Sequence, residues 1–251
     1  MMQAFAALAA LLAMAVGSGI GFRLIRVAQR TQGVPERLMG SAFLAMFALG
    51  YPCAFASRAP GVVGTPVGVA LFGMGLLAII GAIGCFYSFT WRVFRPEAPW
   101  ARGLLIGAAL GGCLTFAGTI HALWGVSGRE AVVIALRPWA FAILLLCLIP
   151  FAWSAIESGL YYRVMRRRQA LGLAEPITTN RFLLWALAAT LACVLVLVLA
   201  AFRAAGVPIL SAAPTLFSAF GMTGTISLWY FAFAPPLWYQ RRLAQAGASA
   251  G

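Results

Sequence analysis

Glu157, in FAWSAIESGLYYRV, is the only acidic residue set within an apolar run of the sequence. A carboxylate surrounded by hydrocarbon is costly enough to call for a partner or a function, whether proton carrier, ligand contact or half of a buried ion pair. Arg163 follows six residues later, about 9 Å along a helix, which places Glu157 toward the arginine-bearing end of its run. Arg23 and Arg92, at the ends of two earlier runs, come to similar depth and are the candidate partners. A structural ion pair, or a protonated carboxyl in the headgroup region, accounts for the same residue equally simply. Trp153, one turn before Glu157, and Tyr230 in the last apolar run complete the candidate intramembrane polar site. That last run also carries Ser218, Thr223, Thr225, Ser227 and Trp229. These could wall a ligand cavity, although close helix packing in lipid selects the same small hydroxyl residues.

The single His121 lies 19 residues beyond Arg102, roughly 28 Å along a helix, and so belongs to the opposite end from Glu157. That separation argues against a His-carboxylate catalytic pair and favours an interfacial structural histidine, with an external-side pH sensor as the alternative. The sequence has no Asp, hence no Ser-His-Asp set, and no Lys, hence no Schiff-base chemistry. Its five cysteines, Cys53, Cys85, Cys113, Cys147 and Cys193, fall one to each of five apolar runs without a C-x-x-C pair. They read as small hydrophobes, neither a disulfide framework nor a zinc site. No metal, cofactor or catalytic residue is expected, and nothing argues for an enzyme.

The elements that must hold these residues are legible in the charge distribution. The chain is 63% hydrophobic and only 9% charged, where a soluble domain has roughly 25% charged residues. Taking charges as bookends gives seven apolar spans, about 3–22, 38–57, 67–91, 103–125, 138–162, 182–202 and 212–238, each long enough to cross a hydrocarbon core as helix. The fold class expected is therefore all-α, a polytopic seven-transmembrane-helix bundle forming a single domain over residues 1–251. The first span resembles a signal peptide in its small apolar residues but lacks a basic stretch before it, so an uncleaved first helix is expected.

All basic residues are Arg. Fourteen lie in the first, third and fifth connections and the C-terminal tail, against four (Arg58, Arg129, Arg137 and Arg203) in the alternate connections. The positive-inside rule then sets the N-terminus outside and the C-terminus in the cytoplasm, in a membrane expected to be the bacterial inner membrane. The same pattern accounts for the net charge of +13 without nucleic acid, because the charge recurs at one end of the spans and is absent between them. The partners expected are the bilayer itself, anionic lipids at the cytoplasmic face and a protein partner.

The densest cluster lies in YYRVMRRRQALGLAEPITTNRFLLW. It predicts a fifth helix leaving the membrane, a short turn near LGLAEP, and a sixth helix starting behind a Thr-Thr-Asn cap. Arg166, Arg167, Arg168 and Arg181 are the candidate contacts for a cytoplasmic partner or lipid. The helix ends FRLIRVAQRTQG, FTWRVFRP and YYRVMRRRQALG share Arg-Val followed by further basic residues, and LWYQRRL ends the seventh. Helices 1–3 and 5–7 could thus be parallel repeats about helix 4, while topology and the helix dipole would place arginine at each of these ends independently.

With Arg166, Arg167, Arg168, Gly172, Arg181, Phe182, Leu183 and Leu184, the fifth-to-sixth connection resembles that of bacterial seven-transmembrane sensor domains of the "diverse intracellular signalling" type. The resemblance covers about 20 residues of this connection together with helix count and orientation. Members of that family carry an extracellular ligand-binding domain before the helices and an output domain after them. Because this sequence offers neither, the resemblance implies a receptor-like transducer that senses within its bundle and signals through a separate protein. A small-solute transporter of three-plus-one-plus-three helices and a non-catalytic subunit or assembly factor of a membrane complex are the alternatives.

Overall fold

The structure, a computed structural model, describes residues 2–126, 128–207 and 211–248. It is all-α. In chain order the helices are α1 (Met2–Thr31), α2 (Val34–Ala56), α3 (Pro66–Phe94), α4 (Pro99–Leu123), α5 (Arg129–Ala170), α6 (Pro176–Ala204), α7 (Ala212–Phe233) and a short α8 (Leu237–Ala248). Among the described residues, the first seven are long and apolar enough to cross a membrane. Large side chains such as Leu8, Leu110, Leu114 and Ile134 are each about two-thirds exposed, the inside-out distribution expected of helices solvated by lipid. Several hydroxyls on the packed faces are satisfied within their own helices. Thr90, Thr115 and Thr119 donate to the carbonyls of Phe86, Gly111 and Thr115, one turn back.

Proline positions set most helix starts. Pro66, Pro99 and Pro176 each occupy the first turn of a helix, where the missing N–H costs nothing and the fixed φ suits the helix. Thr65 caps α3, its Oγ1 accepting from Gly68 N at 3.1 Å. Thr65→Ala should lower thermal stability by about 1 kcal/mol, the usual contribution of a side-chain N-cap; an unchanged melting temperature would mean that the cap contributes nothing.

Several helix ends differ from expectation. α1 continues through Arg23, Arg26 and Arg30 to Thr31, and α5 runs from Arg129 to Ala170, because charge ends an apolar run without ending a helix. The expected Thr-Thr-Asn cap of the sixth helix is replaced by Pro176 at the helix start behind Glu175. Thr179 and Asn180 lie inside α6, Thr179 Oγ1 bonding Glu175 O at 3.2 Å and Asn180 Nδ2 donating to the Tyr239 hydroxyl at 2.7 Å. α7 stops at Phe233, short of the expected 238, where the consecutive Pro235 and Pro236 remove two N–H donors and disfavour helical backbone at the residue before each.

α2 contains a π-helical stretch, Leu44–Gly50, ending two residues before Pro52. Proline cannot donate to the carbonyl four residues back and its ring crowds that carbonyl; the wider turn absorbs the mismatch.

The chain divides into two compact units, Met1–Val16 with Phe151–Gly251, and Gly17–Pro150. In the second, α3 packs against both α2 and α4. One tight approach is Gly75 to Gly50: a Cβ on Gly75 would lie 2.9 Å from the Gly50 carbonyl oxygen and 3.0 Å from Ala54 N. Small residues permitting backbone contact are how helices associate where lipid removes the hydrophobic driving force. In the first unit α6 and α7 pair along their length, Leu195 and Leu191 filling the surfaces left by Gly221 and Gly224. α8 returns against α6.

Candidate functional site

α5 positions the site. Trp153, Ser154, Glu157 and Ser158 fall at i, i+1, i+4 and i+5, one face of a helix, and all four are buried. Glu157 is only 7% exposed, and its carboxylate accepts from Trp153 Nε1 at 3.3 Å. Ser158 donates to the Ser154 carbonyl. The Ser154 hydroxyl in turn accepts from Trp185 Nε1 of α6 at 2.6 Å, a buried hydrogen bond joining two helices. Trp185 stacks edge-on against Phe233 of α7, with ring centres 5.0 Å apart, and Phe151 of α5 lies 6.3 Å from Trp229 of α7. Three helices thus converge on a small polar cluster inside an aromatic shell. One turn before Trp229, Thr225 Oγ1 is buried and has no hydrogen-bond partner among the described residues.

Of the residues expected to form one intramembrane site, Glu157, Trp153 and Tyr230 belong to this unit and Arg23 and Arg92 to the other. Glu157 and Trp153 are bonded to one another within this unit. Tyr230 is on the same unit but 39% exposed, its ring against Phe231; the neighbouring Trp229 is the buried one. Arg23 and Arg92 belong to the Gly17–Pro150 unit, both on exposed surface. Arg92 lies over the Trp91 ring at 5.6 Å. His121 is exposed in the last turn of α4, its carbonyl accepting from Trp124 N, at the far end of an unbroken helix from Arg102.

An apolar groove of about 720 Å³ opens beside that end of α4, lined by Val69, Gly73, Leu77, Phe116, Ile120 and Trp124 among others. Its walls are hydrocarbon, so it offers little to polar chemistry. Among the described residues, no group of His, Cys, Asp or Glu could hold a metal ion.

Arg166, Arg167 and Arg168 are exposed on the last turns of α5, and Arg181 on the first turns of α6. Between them the chain turns sharply: Leu171 N and Leu173 N both bond the Arg168 carbonyl, and Gly172 adopts φ +71°, the left-handed conformation that ends helices. Leu171 and Leu173 are each 73% exposed, so the turn presents apolar side chains between guanidinium groups.

Trp185, Ser154 and Ser158 were not singled out by sequence reasoning. The available signal was their period: serines at 154 and 158 share the face of Glu157. The contribution of Trp185 depends on which side of α6 meets α5, which no local pattern encodes.

Seven helices long and apolar enough to cross a membrane are the mark of an integral membrane protein. No family model, curated protein or solved structure matches the chain.

Proposed function

We propose that the chain is a receptor-like membrane transducer whose responsive element is the Glu157 cluster and whose output surface is the turn from Arg166 to Arg181. The observation that carries this reading is the continuity of α5. One helix holds Glu157 in the buried cluster and runs without proline or break to Arg166, Arg167 and Arg168, about 13–17 Å farther along. A change of protonation or of contact at Glu157 would move these arginines as a rigid extension, a helix shift of the kind that transmits signals across packed interfaces. The exposed Leu171 and Leu173 beside the basic residues suit a protein partner better than a solvated loop. Orientation follows the arginine distribution, with this turn in the cytoplasm.

The test is capture of a cytoplasmic or membrane partner after mild-detergent extraction. Replacing Arg166, Arg167 and Arg168 together by Ala should lower the captured amount by at least tenfold, and Glu157→Gln should change it severalfold while Trp185→Phe leaves the arginine surface intact. A chain that purifies alone and behaves identically in every variant would overturn the proposal. A solute flux in proteoliposomes that collapses on Glu157→Gln would favour the transporter reading instead.

A further inference from the structure

A second cluster of positive charge, on the Gly17–Pro150 unit, is built differently from the Arg166–Arg181 turn. Arg92 at the end of α3 and Arg102 near the start of α4 both lay their guanidinium carbons over one indole, that of Trp91, at 5.6 and 5.4 Å. The Trp91 Nε1 donor is buried with no hydrogen-bond partner. Among the described residues neither arginine forms an ion pair; Glu97, in the turn between the two helices, is exposed and forms none either. α4 begins behind Ala98, which has no capping side chain, and has no acidic residue in its first turn. The positive end of a 25-residue helix, two guanidinium groups and an unsatisfied indole N–H therefore gather with no anion of the described protein to balance them. Two like charges held over one ring repel each other, and cation–π attraction offsets this only partly. An anion between them removes the repulsion and supplies acceptors for both.

We infer that this is a binding site for the phosphate headgroup of an anionic phospholipid. The lipid source is favoured over a free anion by what adjoins the arginines. From Arg102, α4 continues as an exposed apolar ridge, Ile106 (54% exposed), Leu110 (67%) and Leu114 (68%), one turn apart and on one face. Beside it Gly103 and Gly107 leave open space at the backbone. An acyl chain has a track along the helix directly below the headgroup contacts, and Trp91 sits where interfacial aromatic residues anchor at headgroup level. The site deepens the expectation of anionic lipid at the cytoplasmic face and rests on that orientation. It is independent of signalling through the Arg166–Arg181 turn.

The experiment measures lipid retained by the full chain. Purified from bilayer nanodiscs of phosphatidylcholine and phosphatidylglycerol in equal parts, the protein should carry phosphatidylglycerol preferentially when released into native mass spectrometry. Arg92→Ala and Arg102→Ala should each weaken retention about fivefold, and the pair together about thirtyfold, the effect of one and two basic residues near an anionic surface. Trp91→Phe, which keeps the ring and removes the N–H, should weaken it by a smaller factor. Replacing Arg166, Arg167 and Arg168 by Ala should leave this retention unchanged, so failure here and failure of the transducer reading are separate results. Equal retention of the two lipids, or loss of preference in the Arg166–Arg168 variant but not in the Arg92, Arg102 pair, would overturn the site. Displacement of phosphatidylglycerol by millimolar inorganic phosphate would identify a free-anion site and overturn the lipid assignment. If the double variant fails to fold, Trp91→Phe and Arg102→Gln carry the same comparison.

Discussion

Trp185→Ala should destabilise the protein by about 3–5 kcal/mol, the range for truncating a buried aromatic to alanine. The indole is 4% exposed, stacks on Phe233 of α7 and donates to Ser154 of α5. Its removal therefore opens a cavity where three helices meet and leaves a hydroxyl in hydrocarbon without its partner. The two losses can be separated. Trp185→Phe retains most of the packing and the edge-on ring contact but cannot donate, and interhelical hydrogen bonds in membranes are worth only about 0.6 kcal/mol on average. The expected order in SDS-titration unfolding is wild type, then the Phe variant slightly below it, then the Ala variant far below. An Ala variant no weaker than the Phe variant would mean that Trp185 is not packed as described. The Ala value should fall toward the low end of the range, since in a bilayer the exposed aromatic of the unfolded state meets lipid instead of water, and only the packing part of burial is lost.

This cluster also shows what a sequence can and cannot carry. Glu157 announces itself, because a charge in an apolar run violates the composition around it. Ser154 and Trp185 violate nothing; their importance comes from one face of α5 meeting one face of α6, and three-dimensional adjacency has no local signature in helices that are apolar all round. The number of spans was legible for the converse reason, that lipid demands long uncharged runs. The helix ends were less so. Charge ends an apolar run, but arginines are good helix formers, so α1 and α5 carry their basic residues well past the expected boundaries. Pro176, Pro235 and Pro236 did hold the information about α6 and α7. Each fixes a terminus through backbone geometry, a stronger constraint than the capping tendency of Thr-Thr-Asn or the length of an apolar run. The π-helical stretch of α2 has its cause in Pro52, but a proline admits either a kink or a widened turn, and the choice is made by what packs alongside.

What packs alongside is α3, and the second large effect is expected there. Gly75→Ala should cost about 1–3 kcal/mol, the usual penalty of forcing a methyl group into a filled space, and Gly75→Leu should prevent the α2–α3 crossing from forming. The new Cβ would meet the Gly50 carbonyl oxygen at 2.9 Å and Ala54 N at 3.0 Å. Both are backbone atoms of the facing helix, and neither can rotate away. Relief would require the two helices to separate along their whole contact. Gly81 and Gly84, on the same helix, provide the control: a Cβ at either would have nothing within 4 Å. There alanine should be neutral or stabilising by up to about 1 kcal/mol, since glycine is the poorer helix former. The same substitution on the same helix should thus have opposite signs at Gly75 and at Gly81. Thermal unfolding of the three single variants in detergent checks this directly, and a Gly75→Ala protein as stable as Gly81→Ala would place the α2–α3 contact elsewhere. The sign at Gly75 also bears on why the widened turn is tolerated. The π-helical stretch ends at Gly50 itself, so the local departure from α geometry and this tight backbone approach fall at one point. There the loss of one regular turn in α2 is offset by close contact with α3.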